Sequence, residues 1–173
     1  MEEKIYKKVK IRKAVEDDCR LLLEFIKKLA KYEGKLDKVS ASESDLHRSI
    51  FEERLAGSVF LEIESIPVGY AVYFYILSTF SGKPVLYIED IFIDDDFRDK
   101  GFGKFLFSYL ADLSIKKGCS RLEWSVLSWN KPSIAFYKKF NAKQKKGWEN
   151  YYLEDEDLKD ASSYFKKHKG ISF

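Results

Sequence analysis

Tyr87-Ile88-Glu89-Asp90-Ile91-Phe92-Ile93 runs through Asp94-Asp95-Asp96-Phe97 into Arg98-Asp99-Lys100-Gly101-Phe102-Gly103-Lys104-Phe105-Leu106. An apolar strand bearing two acids meets an acidic turn, then a glycine loop that opens an amphipathic helix. A helix start carries unpaired N–H groups and the positive end of the dipole, so it suits phosphate. Gly101 and Gly103 let the backbone approach a ligand or take positive φ. Arg98 and Lys104 add charged donors. The other familiar phosphate loops fail here. A Walker loop needs glycine where Arg98 stands and Ser or Thr where Phe105 stands, and the dinucleotide fingerprint needs a third glycine where Leu106 stands. A polar turn capping a surface helix is the plain alternative.

Trp129-Asn130-Lys131-Pro132-Ser133-Ile134-Ala135-Phe136-Tyr137 lies downstream, after the strand-like residues 121–126. The order strand, Arg-x-x-Gly-x-Gly, helix, strand, Asn, helix, Phe-Tyr resembles the GCN5-related N-acetyltransferases. That resemblance covers roughly residues 9–153. It implies acetyl-CoA as cofactor, with no metal. Asp99, Lys100, Phe102 and Asn130 with Ser133 and Tyr137 then join Arg98, Gly101, Gly103 and Lys104 at the cofactor. The backbone of Ile91, Phe92 and Ile93 is implied to hold the pantetheine arm. Two neighbouring strands, starting near Val85 and Arg121, are implied to splay around the thioester.

The chain has 173 residues, a size that suits one domain spanning 1–173 with one core. Its 31 basic and 28 acidic residues nearly balance, which does not indicate a nucleic-acid partner. No apolar run is long enough for a membrane span and the N-terminus lacks a signal peptide's apolar core, so a cytoplasmic protein is expected. Cys19 and Cys119 are far apart and fit reduced thiols. With His47 and His168 the only histidines, a zinc site or a Ser-His-Asp triad has no donors to build on.

Apolar spacing predicts a strand at 9–12, a helix at 18–32 stopped by Gly34, and a short helix opened by Ser42 and Asp45 and broken by Gly57. Strands follow at 59–63, 68–77 and 85–93, with a turn at 65–67. A helix at 103–117, a strand at 122–126 and a helix at 132–140 come next. A strand at 148–153 and a short last helix around Leu158 and Phe165 close the pattern. The fold class is α/β (α+β): a central, mixed, mostly antiparallel sheet flanked by helices.

Amine acetylation needs a base for the ammonium, donors for the developing oxyanion and an acid for the leaving thiolate. Glu89 is the candidate base, acting through water. Strict alternation puts Glu89 and Asp90 on opposite faces, so only one faces a given cleft. Pairing with a surface cation is the plain reading of each. Tyr137 is the candidate acid, and a core aromatic is its plain reading. Ala30-Lys31-Tyr32-Glu33, Leu86-Tyr87-Ile88-Glu89-Asp90 and Trp129-Asn130-Lys131-Pro132-Ser133 resemble the diamine branch of the family, with its thialysine-acetylating relatives. That branch implies a homodimer. It also implies a substrate side at Tyr32, Glu33, Glu89, Asp90, Glu123, Trp124 and Ser125. Residues 78–83 and Lys145-Lys146 lack the acids of the polyamine enzymes, so a smaller amine or a thialysine-like or lysine-like amino acid is expected. A protein lysine or N-terminus is the alternative acceptor. An acyl-CoA sensor is the non-enzyme alternative.

Overall fold

The computed structural model describes residues 8–167. The chain divides into two compact units, the first ending at Ser125 and the second starting at Val126. In the first, five strands lie in the order β1-β2-β3-β4-β5. These are Val9–Lys13, Gly57–Ile63, Ile66–Ser78, Lys83–Ile93 and Leu122–Trp124. The first four pair antiparallel, and β5 pairs parallel to β4.

Helix α1, Cys19–Tyr32, lays one stripe on this sheet. Its Leu22 and Phe25 pack with Phe60, Tyr70, Val72 and Phe92. The Phe25 ring stands 5.8 Å from Phe60 and 5.4 Å from Tyr70, centre to centre. Each such side chain removed from water contributes about 1.5–3 kcal/mol. The helix ends at Tyr32, with Glu33 as its C-cap and Gly34 at φ 71°. Ser42 caps α2, Glu43–His47, by accepting the Asp45 N–H at 3.2 Å. A wider turn, Arg48–Glu52, extends α2, and Arg54 leaves it at φ 54°. The helical run thus ends at Glu52, close to the expected end near Glu53, and Gly57 begins β2.

Glu64 and Ser65, at φ 52° and 68°, make the two-residue turn of the β2–β3 hairpin. Paired left-handed residues match the twist of the flanking strands. The turn sits one residue before the expected position because Ile66 already pairs with Ile63. Gly69 lies where β3 passes β4 closely. A Cβ there would stand 2.7 Å from the Phe92 carbonyl oxygen and 2.5 Å from Ile93 Cδ1. On the face away from α1, α3, Phe102–Lys116, packs on β4 and buries Leu106 and Leu110.

Arg12 joins the sheet edge to the chain entering α1. Its guanidinium meets Asp18 at 2.5 and 2.9 Å and the buried Glu62 at 2.5 Å. Burial pushes the Glu62 carboxyl up, but hydrogen bonds from Arg12 and Lys10 outweigh it and hold the group below its ordinary value.

The second unit contains α4, Lys131–Lys138, and α5, Asp155–Lys167. The strand expected at 148–153 is a correction: these residues have no ladder, and Trp148, Tyr151, Tyr152 and Leu153 are exposed. β-Propensity describes fit to a partnered, half-buried surface, and no strand pairs with this segment among the described residues.

Candidate active site

β4 has two regimes. Leu86, Tyr87 and Ile88 pair with Leu122, Glu123 and Trp124 of β5. There the β5 ladder stops, and residues 90–93 pair with β3 alone. Shared pairing between β4 and β5 ends at Ile88 and Trp124, where β5 itself ends.

At that point the register shifts. Ile88 pairs with Tyr73 and Asp90 with Val72, so Glu89 is the surplus residue of a β-bulge. The bulge breaks period two at this point, so Ile88 and Asp90, two residues apart, fall on opposite faces. Asp90, opposite Val72, faces α1. Glu89 is exposed at the surface, yet partial desolvation raises its pKa above its ordinary value, and the charge of Asp90 adds to the rise. Burial also raises Asp90, partly offset by a 2.8 Å hydrogen bond that the Tyr70 hydroxyl donates to it. Glu33 at the end of α1 is raised by burial and then by Asp90, with Lys35 opposing. Three carboxyl groups thus share one electrostatic neighbourhood, each biased toward its neutral form. Such an arrangement welcomes an incoming cation.

Tyr70 escaped the sequence reading, although it sits fully buried beside these acids. A phenol in a buried stripe needs a partner, so a tyrosine on the core face of β3 was the available signal. The half-buried Tyr87 places its hydroxyl 2.7 Å from Ser125 Oγ. Glu123 pairs with Arg121, and Trp124 meets Phe107 of α3 edge-on at 5.2 Å. Tyr32 ends α1 with its ring against the Arg98 guanidinium.

The glycine loop follows β4 directly. Phe92 and Ile93 are buried and Ile91 half-buried. Asp99, at φ 59°, and Gly101, at φ 85°, turn the chain so that Gly101 caps α3 with no side-chain acceptor at its first turn. A Cβ on Gly103 would meet nothing nearer than Ile93 Cγ1 at 3.9 Å. Packing inside the protein does not require that glycine, whereas close approach of a ligand to the helix start does. Phe102 is buried and anchors the loop, Lys104 is exposed, and Lys100 Nζ donates to the Asp96 carbonyl at 2.6 Å. The loop fits an anionic pyrophosphate in its donors and its room. Among the described residues no group of His, Cys, Asp and Glu is placed to hold a metal, and no helix is long and apolar enough to cross a membrane.

In the second unit, Asn130 is buried and caps α4, its side-chain oxygen accepting the Ser133 N–H at 3.2 Å. Asn130 has this local cause, since the bond uses only the backbone of residue 133. Tyr137 lies on the same helix, with Phe136 at 5.2 Å, and burial pushes its phenol up to about 12.

Comparison with known proteins defines the class. The model of the acetyltransferase (GNAT) family matches residues 22–142, and the chain belongs to that family. It has the family's fold and is an acyltransferase enzyme. The thialysine N-epsilon-acetyltransferase of Sus scrofa is 34% identical over 164 residues, 88% of this chain and 96% of that protein. The human spermidine/spermine N(1)-acetyltransferase-like protein 1 is 29% identical over 161 residues, 87% of this chain but 23% of that protein. Among solved structures, a Vibrio cholerae integron cassette protein superposes with a TM-score of 0.75 and 26% identity, covering 90% of this chain and 98% of that one.

Proposed function

We propose that this enzyme transfers an acetyl group from acetyl-CoA to the primary amine of a small molecule, by direct attack in a ternary complex. The observation that carries the reading is the bulge, which sets Glu89 beside Asp90 where the pairing of β4 with β5 ends. Acetyl-CoA supplies the acyl group as an activated thioester. Glu89 takes the ammonium proton, through water, and its raised pKa brings it closer to the strength a base needs near neutrality. Asp90, Glu33 and Tyr32, with Glu123, Trp124 and Ser125 on β5, orient the amine. N–H groups of Ile91 and Ile93, which the antiparallel ladder with β3 leaves on the other edge of β4, hold the arm and polarise the carbonyl. The backbone of residues 98–104, with Lys104, holds the pyrophosphate, and Asn130 and Ser133 border the arm.

Tyr137 donates to the sulfur as it leaves. Its phenol, near 12, stays protonated throughout the working range. A thiol titrates near about 8.5, so a complete transfer from the phenol is uphill. Donation of a hydrogen bond to the developing charge is the favoured role. Tyr137→Phe is expected to lower kcat by about 10- to 100-fold with acetyl-CoA affinity kept, read by steady-state kinetics and calorimetry; an unchanged kcat would remove the role. Gly101→Val forces a β-branched residue into φ 85° at the loop. Loss of acetyl-CoA binding is expected, and unchanged affinity would relocate the phosphate grip.

The amine is a small one, with an amino acid carrying a side-chain amine, such as thialysine, the leading candidate. The curated relative acting on thialysine spans nearly its whole length here, and residues 78–83 contain no acid to hold a long polycation. A homodimer is part of the proposal. The exposed Leu77 and Phe80 near the β3–β4 turn are consistent with a covered surface, and light scattering reads the mass. The deciding assay is thiol release from acetyl-CoA against thialysine, lysine, ornithine, putrescine, spermidine, spermine and a lysine peptide. Selective turnover of a small amine supports the reading. Turnover of the peptide alone would replace it with a protein acceptor, and preference for spermine would overturn the substrate class.

A further inference from the structure

The side chain of Arg98 opens the glycine loop in sequence but turns back into the protein in space. Its Nε donates to the Ile93 carbonyl at 3.0 Å, and Nη2 meets Asp95 Oδ1 at 2.7 Å. Its face lies 4.5 Å from the centre of the Tyr32 ring and 5.1 Å from that of Phe92. Two edges are engaged and the plane is held against two rings, so little freedom remains to reach a phosphate. Tyr32 is the last residue of α1, and Glu33 follows it directly. Phe92 shares its face of β4 with Asp90. One guanidinium therefore touches both supports of the acidic cluster, the helix end that carries Glu33 and the strand that carries Asp90.

We propose that Arg98 is a positioning residue for the amine side of the site, tying the glycine loop to Tyr32 at the end of α1, and that its side chain is not a phosphate ligand. This rests on the acetyltransferase reading above. Arginine is required because its planar cation stacks on a ring while its edge donates, which an ammonium cannot reproduce. The strut links cofactor and amine, since residues 98–103 form the phosphate loop while the same side chain fixes where Tyr32 and Glu33 stand. Loop occupancy by the cofactor then stiffens the helix end that the amine meets.

The test uses the full chain and two probes, acetyl-CoA and thialysine. Arg98→Met and Arg98→Lys are each expected to keep the acetyl-CoA Kd, by calorimetry, within about threefold while the thialysine KM rises about tenfold. Lysine is not expected to rescue. An acetyl-CoA Kd weakened tenfold or more by methionine and restored by lysine would overturn the proposal and make Arg98 a phosphate ligand. An unchanged KM in both would overturn it as well. Should Arg98→Met fail to fold, Arg98→Lys alone carries the test, since it keeps the charge and removes the planar stack on Tyr32 and Phe92. The same KM rise at constant Kd is expected, and an unchanged KM would overturn the strut. Failure of the acetyltransferase reading shows itself earlier, as absence of amine turnover by the wild-type chain. In that event an Arg98/Tyr32 double-mutant cycle in urea still reads the contact: coupling sustains the strut and additivity overturns it.

Discussion

Residues 83–88 and 89–93 belong to one strand and carry different loads. The first stretch is paired on both edges from Leu86 to Ile88, and Val85, Leu86 and Ile88 are buried. The second is paired on one edge, starts with the surplus residue Glu89 and holds the half-buried Asp90. The first stretch spends its hydrogen bonds and apolar surface on the fold. The second withholds one edge and accepts two acids at a cost in stability. A site can thus be made by ending a ladder early within an otherwise ordinary sheet.

Substitutions at three positions on β4 break or sharpen that contrast. Glu89→Gln is expected to lower kcat by about 10²–10⁴-fold with little change in stability or acetyl-CoA affinity. It should also remove the acid limb of the rate profile, which in the wild type lies above the ordinary glutamate range because partial desolvation and Asp90 raise Glu89. A wild-type kcat would move the base elsewhere. On the paired side the effect should be on the fold: Ile88→Ala is expected to cost about 2–5 kcal/mol in urea unfolding. Its kcat per folded molecule should be kept, and a catalytic loss without a stability loss would erase the distinction between the halves.

The smallest effect is a gain. A carboxyl whose pKa is raised on folding contributes stability below its unfolded pKa, and that contribution is lost as pH rises through its folded pKa. Asp90 is such a group, raised by burial with the Tyr70 hydrogen bond opposing. Asp90→Asn keeps an acceptor for Tyr70 and removes the charge. It is expected to raise Tm at about pH 7, with no gain at about pH 3, while the amine KM increases. A lower Tm at about pH 7 would show that the ionised Asp90 supports the fold.

Elements with a self-contained signal were legible from sequence. Leu21, Leu22, Phe25, Ile26 and Leu29 announce α1 by spacing alone, and Ser42 with Asp45 announces the start of α2. The segment 148–153 was not legible, because a strand exists only where an edge is offered to it, and that is decided elsewhere in the chain. The acids Glu89 and Asp90 could be singled out as polar residues in an apolar run. Their mutual placement could not, since a bulge is a relation between two strands; adjacent acids that disrupt period two were its only trace. The Arg98 stack depends on where α1 ends relative to the loop, 66 positions apart by numbering from Tyr32 to Arg98, and no local pattern encodes it.

The surplus residue in β4 also makes strand length part of the design. In a plain pleat, one residue more or less turns every later side chain over. Here the slip is absorbed at a single position, so Ile88 and Ile93 can keep to one side of the sheet while Asp90 and Phe92 keep to the other. The chain carries its chemistry at the place where a miscount has already been built in.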